Sequence, residues 1–167
     1  MRQKIVAGNW KMHKNAEETE DLLNELIDKI PNDIEAQIIV APTFVNLASA
    51  VDHLEFTTIN VAAQNMHQNE NGAYTGEISA DMLTSIGVTT VIIGHSERRA
   101  YFNESDAVLA EKITTALKHE MTSIFCFGEE LKDRKEEQHF NVVENQLRDG
   151  LFHIENEDWK KIILAYE

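Results

Sequence analysis

Thr89, Thr90, Val91, Ile92 and Ile93 form an unbroken β-branched run that stops at Gly94 and is followed at once by His95, Ser96, Glu97, Arg98 and Arg99. A run that is apolar at every position, without alternation, suits a strand covered on both faces, as in a parallel sheet. Polar and ionisable residues placed directly after such a strand stand at its carboxyl end, where α/β folds assemble their sites.

Five more runs repeat the pattern: Lys4–Gly8 (KIVAG), Gln37–Ala41 (QIIVA), Thr58–Ala62 (TINVA), Thr122–Phe127 (TSIFCF) and Lys161–Tyr166 (KIILAY). Their starts lie about 31 residues apart on average, the length of a strand with its returning helix. Helix signals fill the intervals. Asn15 with Glu18 is a capping pattern, and Leu22, Leu23, Leu26, Ile27 and Ile30 follow at helical spacing until Pro31. Phe44–Leu54 predicts a short helix. Ser79 predicts the cap of another, bearing Met82, Leu83 and Ile86 and stopped by Gly87, and Ser96–Phe102 can start a short helix after His95. Ser105 caps a helix with Leu109, Ile113, Ala116 and Leu117 on one face. Glu130–Leu151 predicts one long charged helix, with Phe140, Val143, Leu147 and Leu151 inward and Lys132–Gln138 solvated. Only Gln64–Ile78 lacks periodicity, and unstructured connections of that length are usually functional.

This alternation defines an α/β chain, and an open doubly wound sheet or a closed (β/α)8 barrel accommodates it. A complete barrel takes eight strands and about 250 residues. The 167 residues, 43% hydrophobic, supply one core, so residues 1–167 are expected to be a single domain or part of one. No helix follows Lys161–Tyr166, which predicts the front part of a longer protein or a fragment completed by another chain. A net charge of -14, from 15 Lys and Arg against 29 Asp and Glu, argues against nucleic acid as a partner. The single Cys126 cannot form an internal disulfide, and neither a signal peptide nor a membrane-length apolar stretch is present. A cytoplasmic setting is expected.

Sorted by the strand each follows, the polar residues are Asn9 and Lys11, Gln64 and Asn65, His95 and Glu97, Glu129, and Glu167. In a parallel sheet all of these lie toward one face. The set holds a carboxylate, an imidazole and an ammonium, with no Cys or His cluster at metal-ligand spacing, no Gly-x-Ser-x-Gly, no Walker A loop and no GxGxxG. Proton transfer is the leading chemistry. A carboxylate can take a proton beside a carbonyl while neutral imidazole and an ammonium stabilise the enediolate oxygen. Arg98, Arg99 and Glu129 read as ion-pair partners, Cys126 as a small buried thiol, and the other six histidines have no assigned role.

Six segments, AGNWKM (7–12), AAQNMH (62–67), GAYTGE (72–77), GHSERR (94–99), CFGE (126–129) and AYE (165–167), together resemble the triosephosphate isomerase family in order and spacing across the whole chain. The resemblance implies a (β/α)8 TIM barrel, present as its first six strands. It also implies interconversion of dihydroxyacetone phosphate and glyceraldehyde 3-phosphate without a metal or organic cofactor. By motif, Glu167 would be the base, His95 the electrophile at the carbonyl, and Asn9 and Lys11 the groups that bind and polarise the substrate. Glu97 would support Lys11, with Ser96 and Cys126 also in supporting places. A homodimer is implied through the 64–78 loop, with Tyr74, Thr75 and Gly76 at the interface and Thr75 reaching the neighbouring site. In the family, AYE is followed by Pro-Val-Trp, a glycine-rich lid and two more strands, so a 167-residue fragment alone is expected to be inactive. A rival reading makes the chain a non-catalytic barrel fragment that assembles with a complementary segment. Another phosphosugar barrel enzyme would call for different residues after strands four or six. His13 stands where many relatives have asparagine, with no consequence for the chemistry.

Overall fold

The computed structural model describes residues 3–31 and 33–167. In them β1 (Ile5–Asn9), α1 (Ala16–Lys29) and β2 (Gln37–Ala41) are followed by a 3-10 turn at Phe44–Asn46 that runs into α2 (Leu47–Leu54). Next come β3 (Ile59–Ala63), α3 (Ala80–Ser85), β4 (Thr90–Ile93), α4 (Ser96–Tyr101), α5 (Asp106–Lys118) and β5 (Thr122–Phe127). The chain continues through α6 (Leu131–Lys135), α7 (His139–Leu151) and, after a 3-10 turn at Asp158–Lys161, β6 (Ile162–Tyr166). Contacts divide it into two compact units, Met1–Gln64 with Met82–Thr90, and Asn65–Asp81 with Val91–Glu167.

In the first unit β1, β2 and β3 lie side by side in parallel, with Ile5 opposite Gln37 and Ile38 opposite Ile59. Leu23 of α1, Ile38 and Val40 of β2, Ala50 and Leu54 of α2 and Ile59 of β3 make the core, with Trp10, Leu26 and Ile30 packed against it. The capping box at the start of α1 is closed in both directions: the Asn15 N–H donates to the Glu18 carboxylate and the Glu18 N–H to Asn15 Oδ1, each at 2.9 Å. The stripe on α1 is narrower than its sequence suggests, since Ile27 is exposed while Thr19 is buried. The Thr19 hydroxyl oxygen accepts from Asn46 Nδ2 at 2.9 Å, a pairing 27 residues apart that no local pattern announces.

In the second unit β5 and β6 are parallel neighbours, Cys126 opposite Ala165 and Phe127 opposite Tyr166. The strand read from its β-branched run is buried at every position of β4. On α5 Leu109, Ile113, Ala116 and Leu117 are buried as their spacing predicts. The single helix expected over Glu130–Leu151 is instead two, because the chain turns at Glu136–Gln138, with Glu137 in the left-handed region at φ 58°. Phe140, expected inward, is 77% exposed, since it falls in the first turn of the helix that restarts at His139. Gly150 and Leu151, at its other end, are the buried residues of α7.

One buried polar cluster defies the apolar pattern of α5. The Lys112 ammonium donates to Glu104 Oε1 at 2.6 Å and to Asn65 Oδ1 at 2.8 Å, and Arg98 Nε donates to the same Glu104 oxygen at 2.7 Å. The Lys112 and Glu104 side chains are only 4% and 7% exposed. Burial pushes the Lys112 ammonium below the usual lysine range, and the Glu104 carboxylate opposes that shift by favouring the charged form. Two cations thus depend on one carboxylate. Removing one member of such a pair strands the other without a counter-charge. Glu104→Gln is therefore expected to lower the unfolding free energy of the intact protein by about 3–5 kcal/mol, read from the urea midpoint at constant m value.

Candidate active site

Each unit carries one candidate loop of its own. In the first, β1 ends at Asn9 and Trp10 extends the ladder by donating its N–H to the Ala41 carbonyl at 3.1 Å. Lys11 then enters the left-handed region at φ 51°, a conformation that costs a non-glycine residue about 1–3 kcal/mol. Two side chains hold it there. Its N–H donates to Asn9 Oδ1 at 2.9 Å, and its carbonyl accepts from Gln64 Nε2 at 2.8 Å. The second hydrogen of the Gln64 amide goes to the Ala41 carbonyl, also at 2.8 Å. Gln64 is therefore a clamp on backbone, and Asn9 fixes the course of the chain through Lys11.

In the second unit His95 caps α4. Its Nδ1 accepts the Glu97 N–H at 3.2 Å, which leaves the ring hydrogen on Nε2. That Nε2 faces Glu167 Oε1 at 3.2 Å. The other Glu167 oxygen accepts the Ser96 N–H at 3.2 Å, and the Glu167 N–H donates to the Phe127 carbonyl at 2.9 Å. The carboxylate is fixed from both its head and its backbone. The His95 side chain is 12% exposed and that of Glu167 is 37% exposed, so imidazole is shielded and carboxylate reachable. The Glu97 carboxylate lies 3.6 Å from His95 Nδ1, too far for a hydrogen bond. A cavity of about 260 Å³ opens beside Glu167, with Ser96, Arg99, Gly128 and Gln146 on its walls. The crowding requires two glycines. Gly94 has φ 82° and a Cβ there would stand 2.8 Å from the Cys126 carbonyl, while a Cβ at Gly128 would run into the main chain of Glu167.

Residues 4–167 match the family model described as triosephosphate isomerase. The chain belongs to the triosephosphate isomerase family. It is 76% identical over its 167 residues to the triosephosphate isomerase of Flavobacterium psychrophilum, all of this chain aligning with 67% of that protein. The triosephosphate isomerase of Flavobacterium johnsoniae is 72% identical and that of Caldanaerobacter subterraneus subsp. tengcongensis 47%, each over 167 residues, again all of this chain and 67% of the relative. The six strands and their helices are accordingly a partial (β/α)8 TIM barrel. Family relatives support the isomerase reading and add nothing to the assembly-fragment alternative.

The remaining motif residues have partners of their own. Cys126 is buried, and its thiol is pushed up to about 12, first by burial and then by the Glu167 charge, with Arg99 opposing. The Tyr166 hydroxyl donates to both Glu129 oxygens, at 2.9 and 2.8 Å, and Arg134 stands 3.3 Å from the same carboxylate. Its own backbone N–H and the Tyr166 phenol hold the Glu129 carboxyl below the usual range. Asn65, read from sequence as one of the convergent polar residues, spends its carboxamide oxygen on the buried Lys112. The loop beyond Asn65 is closed at its base by the His67 N–H on the Ile78 carbonyl, 2.8 Å, and tied to α5 by the Thr115 hydroxyl on the Gln68 carbonyl, 2.6 Å. At its tip Tyr74 lies on the His67 ring, centroids 4.4 Å apart, and Thr75 and Gly76 are exposed. Arg98, Arg99 and Glu129 form the ion pairs read from the sequence, with Glu104, Asp106 and Arg134. The Gln64 clamp, the Arg99 bonds to the Gly94 and Cys126 carbonyls and the burial of Lys112 and Glu104 left no signal in the sequence, because most of those partners lie far along the chain.

A thiol so far from ionisation is a poor nucleophile, because the thiolate is the reactive form. Cys126 in the folded protein at pH 8 is expected to react with an aromatic disulfide reagent at least about 100-fold more slowly than in urea. Comparable rates in the two states would show that Cys126 is neither buried nor protonated as described.

Proposed function

We propose that the chain carries out the isomerisation of dihydroxyacetone phosphate and D-glyceraldehyde 3-phosphate, with Glu167 as the base that moves a proton between the two adjacent carbons. The observation that carries this reading is the pair made by His95 Nε2 and Glu167 Oε1, 3.2 Å apart, with Nδ1 already committed to a backbone N–H. A substrate carbonyl placed against Nε2 meets a hydrogen-bond donor, while the carbon beside that carbonyl meets the carboxylate. Glu167 takes the carbon-bound proton, the electron pair moves into the carbonyl, and the resulting enediolate oxygen receives the Nε2–H hydrogen bond. The proton of the neighbouring hydroxyl passes to the former carbonyl oxygen, with Nε2 beside both oxygens, and return of the carbon-bound proton to the neighbouring carbon completes the exchange of aldehyde and ketone. Ser96, through its N–H, keeps the carboxylate aimed, and Glu97, through its N–H, keeps the imidazole in one tautomer.

Asn9 and Lys11 are assigned to substrate binding. The Lys11 ammonium adds positive charge for the enediolate and phosphate, and the locked left-handed backbone at Lys11 removes the cost of ordering it when substrate arrives. Supporting roles are assigned by motif to Glu97, toward Lys11, and to the buried Cys126. The proton transfer draws on these side chains alone. Residues 1–167 are proposed to act as one domain, β1 to β6 of the barrel, in the cytoplasm and as a homodimer joined through the 64–78 loop. The exposed tip with Tyr74, Thr75 and Gly76, held from beneath by His67 and Thr115, supports that interface. Among the described residues no helix is long and apolar enough to cross a membrane.

In the intact protein, His95→Gln and Glu167→Gln are each expected to lower kcat by about 10²–10⁴-fold with the circular dichroism spectrum unchanged. Wild-type turnover by either variant in a coupled assay with a purified dehydrogenase would remove that residue from the mechanism. Thr75→Arg, which places a charge at the exposed tip, is expected to move the protein from dimer to monomer in sedimentation equilibrium. An unchanged dimer would place the interface elsewhere.

A further inference from the structure

We propose that Arg99 is a positioning residue for the reaction, a guanidinium fork that sets the spacing between the loop carrying His95 and the strand end that holds Glu167. The inference rests on the proton-transfer reading above. Arg99 reaches from α4 back across the ends of two strands. Its Nε donates to the Gly94 carbonyl at 2.8 Å, its Nη2 to the Cys126 carbonyl at 3.2 Å, and its Nη1 to Asp106 Oδ1 at 2.6 Å. Each contact has a consequence for the site. Gly94 immediately precedes His95. Cys126 immediately precedes Phe127, whose carbonyl accepts the Glu167 N–H. Asp106 is the first residue of α5, so the fork is anchored at the start of a helix of the same unit.

The chemistry explains why the residue is arginine. A planar guanidinium presents five donors at fixed angles and can hold two carbonyls and a carboxylate simultaneously, whereas an ammonium is a point charge on a flexible stem. The Arg99 side chain is 17% exposed and its guanidinium carbon lies 5.8 Å from the centre of the Phe125 ring, so the fork is held in a partly desolvated seat. Gly94 is cut to the same fit. A Cβ at that position would stand 3.2 Å from Arg99 Nη2 as well as 2.8 Å from the Cys126 carbonyl. Without the fork, the Gly94 and Cys126 carbonyls lose their side-chain donor, and the His95 and Glu167 backbones are free to separate.

The test is steady-state kinetics on the intact protein for Arg99→Ala, Arg99→Lys and Asp106→Asn, with His95→Gln as the reference for the underlying mechanism. Because misplacement of reacting groups by about 1 Å can cost 100-fold, Arg99→Ala is expected to lose about 10- to 100-fold in kcat. KM should stay within about threefold, since substrate binding is assigned to other groups. Added methylguanidinium should restore part of the lost rate to Arg99→Ala, and Arg99→Lys should remain impaired despite its charge. In nitrogen-15 spectra the His95 ring should show one tautomer in the wild type and averaging in Arg99→Ala. Wild-type kcat in Arg99→Ala or Arg99→Lys overturns the proposal. So does a loss that follows the folded fraction and is not relieved by methylguanidinium, because that is a stability effect alone. Should Arg99→Ala not fold, Asp106→Asn decides: a reduced kcat with an unchanged circular dichroism spectrum supports positioning and an unchanged kcat refutes it. Full activity in His95→Gln would instead sink the proton-transfer reading itself, a result independent of the Arg99 variants.

Discussion

A buried parallel strand ends in carbonyl and amide groups that have no further strand residue to pair with, and a buried main-chain group without a partner is costly. The candidate loops of both units grow out of how this chain meets that demand. In the first unit the Ala41 carbonyl takes both the Trp10 N–H and one hydrogen of Gln64, whose other hydrogen fixes Lys11. In the second, Arg99 serves Gly94 and Cys126, and Gln146 of α7 brackets Gly128, accepting its N–H at 2.8 Å and donating to its carbonyl at 3.1 Å. The Phe127 carbonyl is taken by the Glu167 N–H. Long polar side chains thus act as main-chain caps, and Lys11, His95 and Glu167 sit on or beside the segments so capped.

That arrangement explains how His95 and Glu167 are held in one geometry at the ends of their strands. His95 and Glu167 are aimed mainly by backbone N–H groups, of Glu97 and Ser96, which cannot rotate away as side chains can. Lys11 is held in a conformation its free chain would avoid, at φ 51°. Local strain of this kind persists only where surrounding contacts over-determine it, and here a neighbouring carboxamide stands on each side of the strained residue.

α5 links several of these functions within the second unit. Asp106 anchors Arg99, Leu109 lies close beneath Gly94, Lys112 binds Asn65 and Glu104, and Thr115 holds the loop at Gln68. Its apolar residues, Leu109, Ile113, Ala116 and Leu117, pack inward as their spacing requires. The same helix therefore steadies the strand ends near His95 and the loop whose tip is exposed at Thr75. A charged residue in the middle of that buried face is tolerated because its partner, Glu104, is buried with it.

The sequence by itself determined the alternation of strands and helices, the position of the polar residues after each strand, and the family. Those depend on local signals: β-branched runs, the Asn15 and Ser105 caps, and glycines at strand ends. Even where the expected helix over Glu130–Leu151 was wrong, the failure was one of a helical period that continued through a turn, since Glu137 is not a residue that advertises a left-handed conformation. Tertiary structure alone decided which polar residues work on backbone and which face outward. Gln64 meets Lys11 across 53 residues, Lys112 meets Asn65 across 47, Arg99 meets Cys126 across 27, and Ser96 meets Glu167 across 71. Such pairings leave no periodic trace because they are set by the closeness of strand ends in space, and only packing creates that closeness.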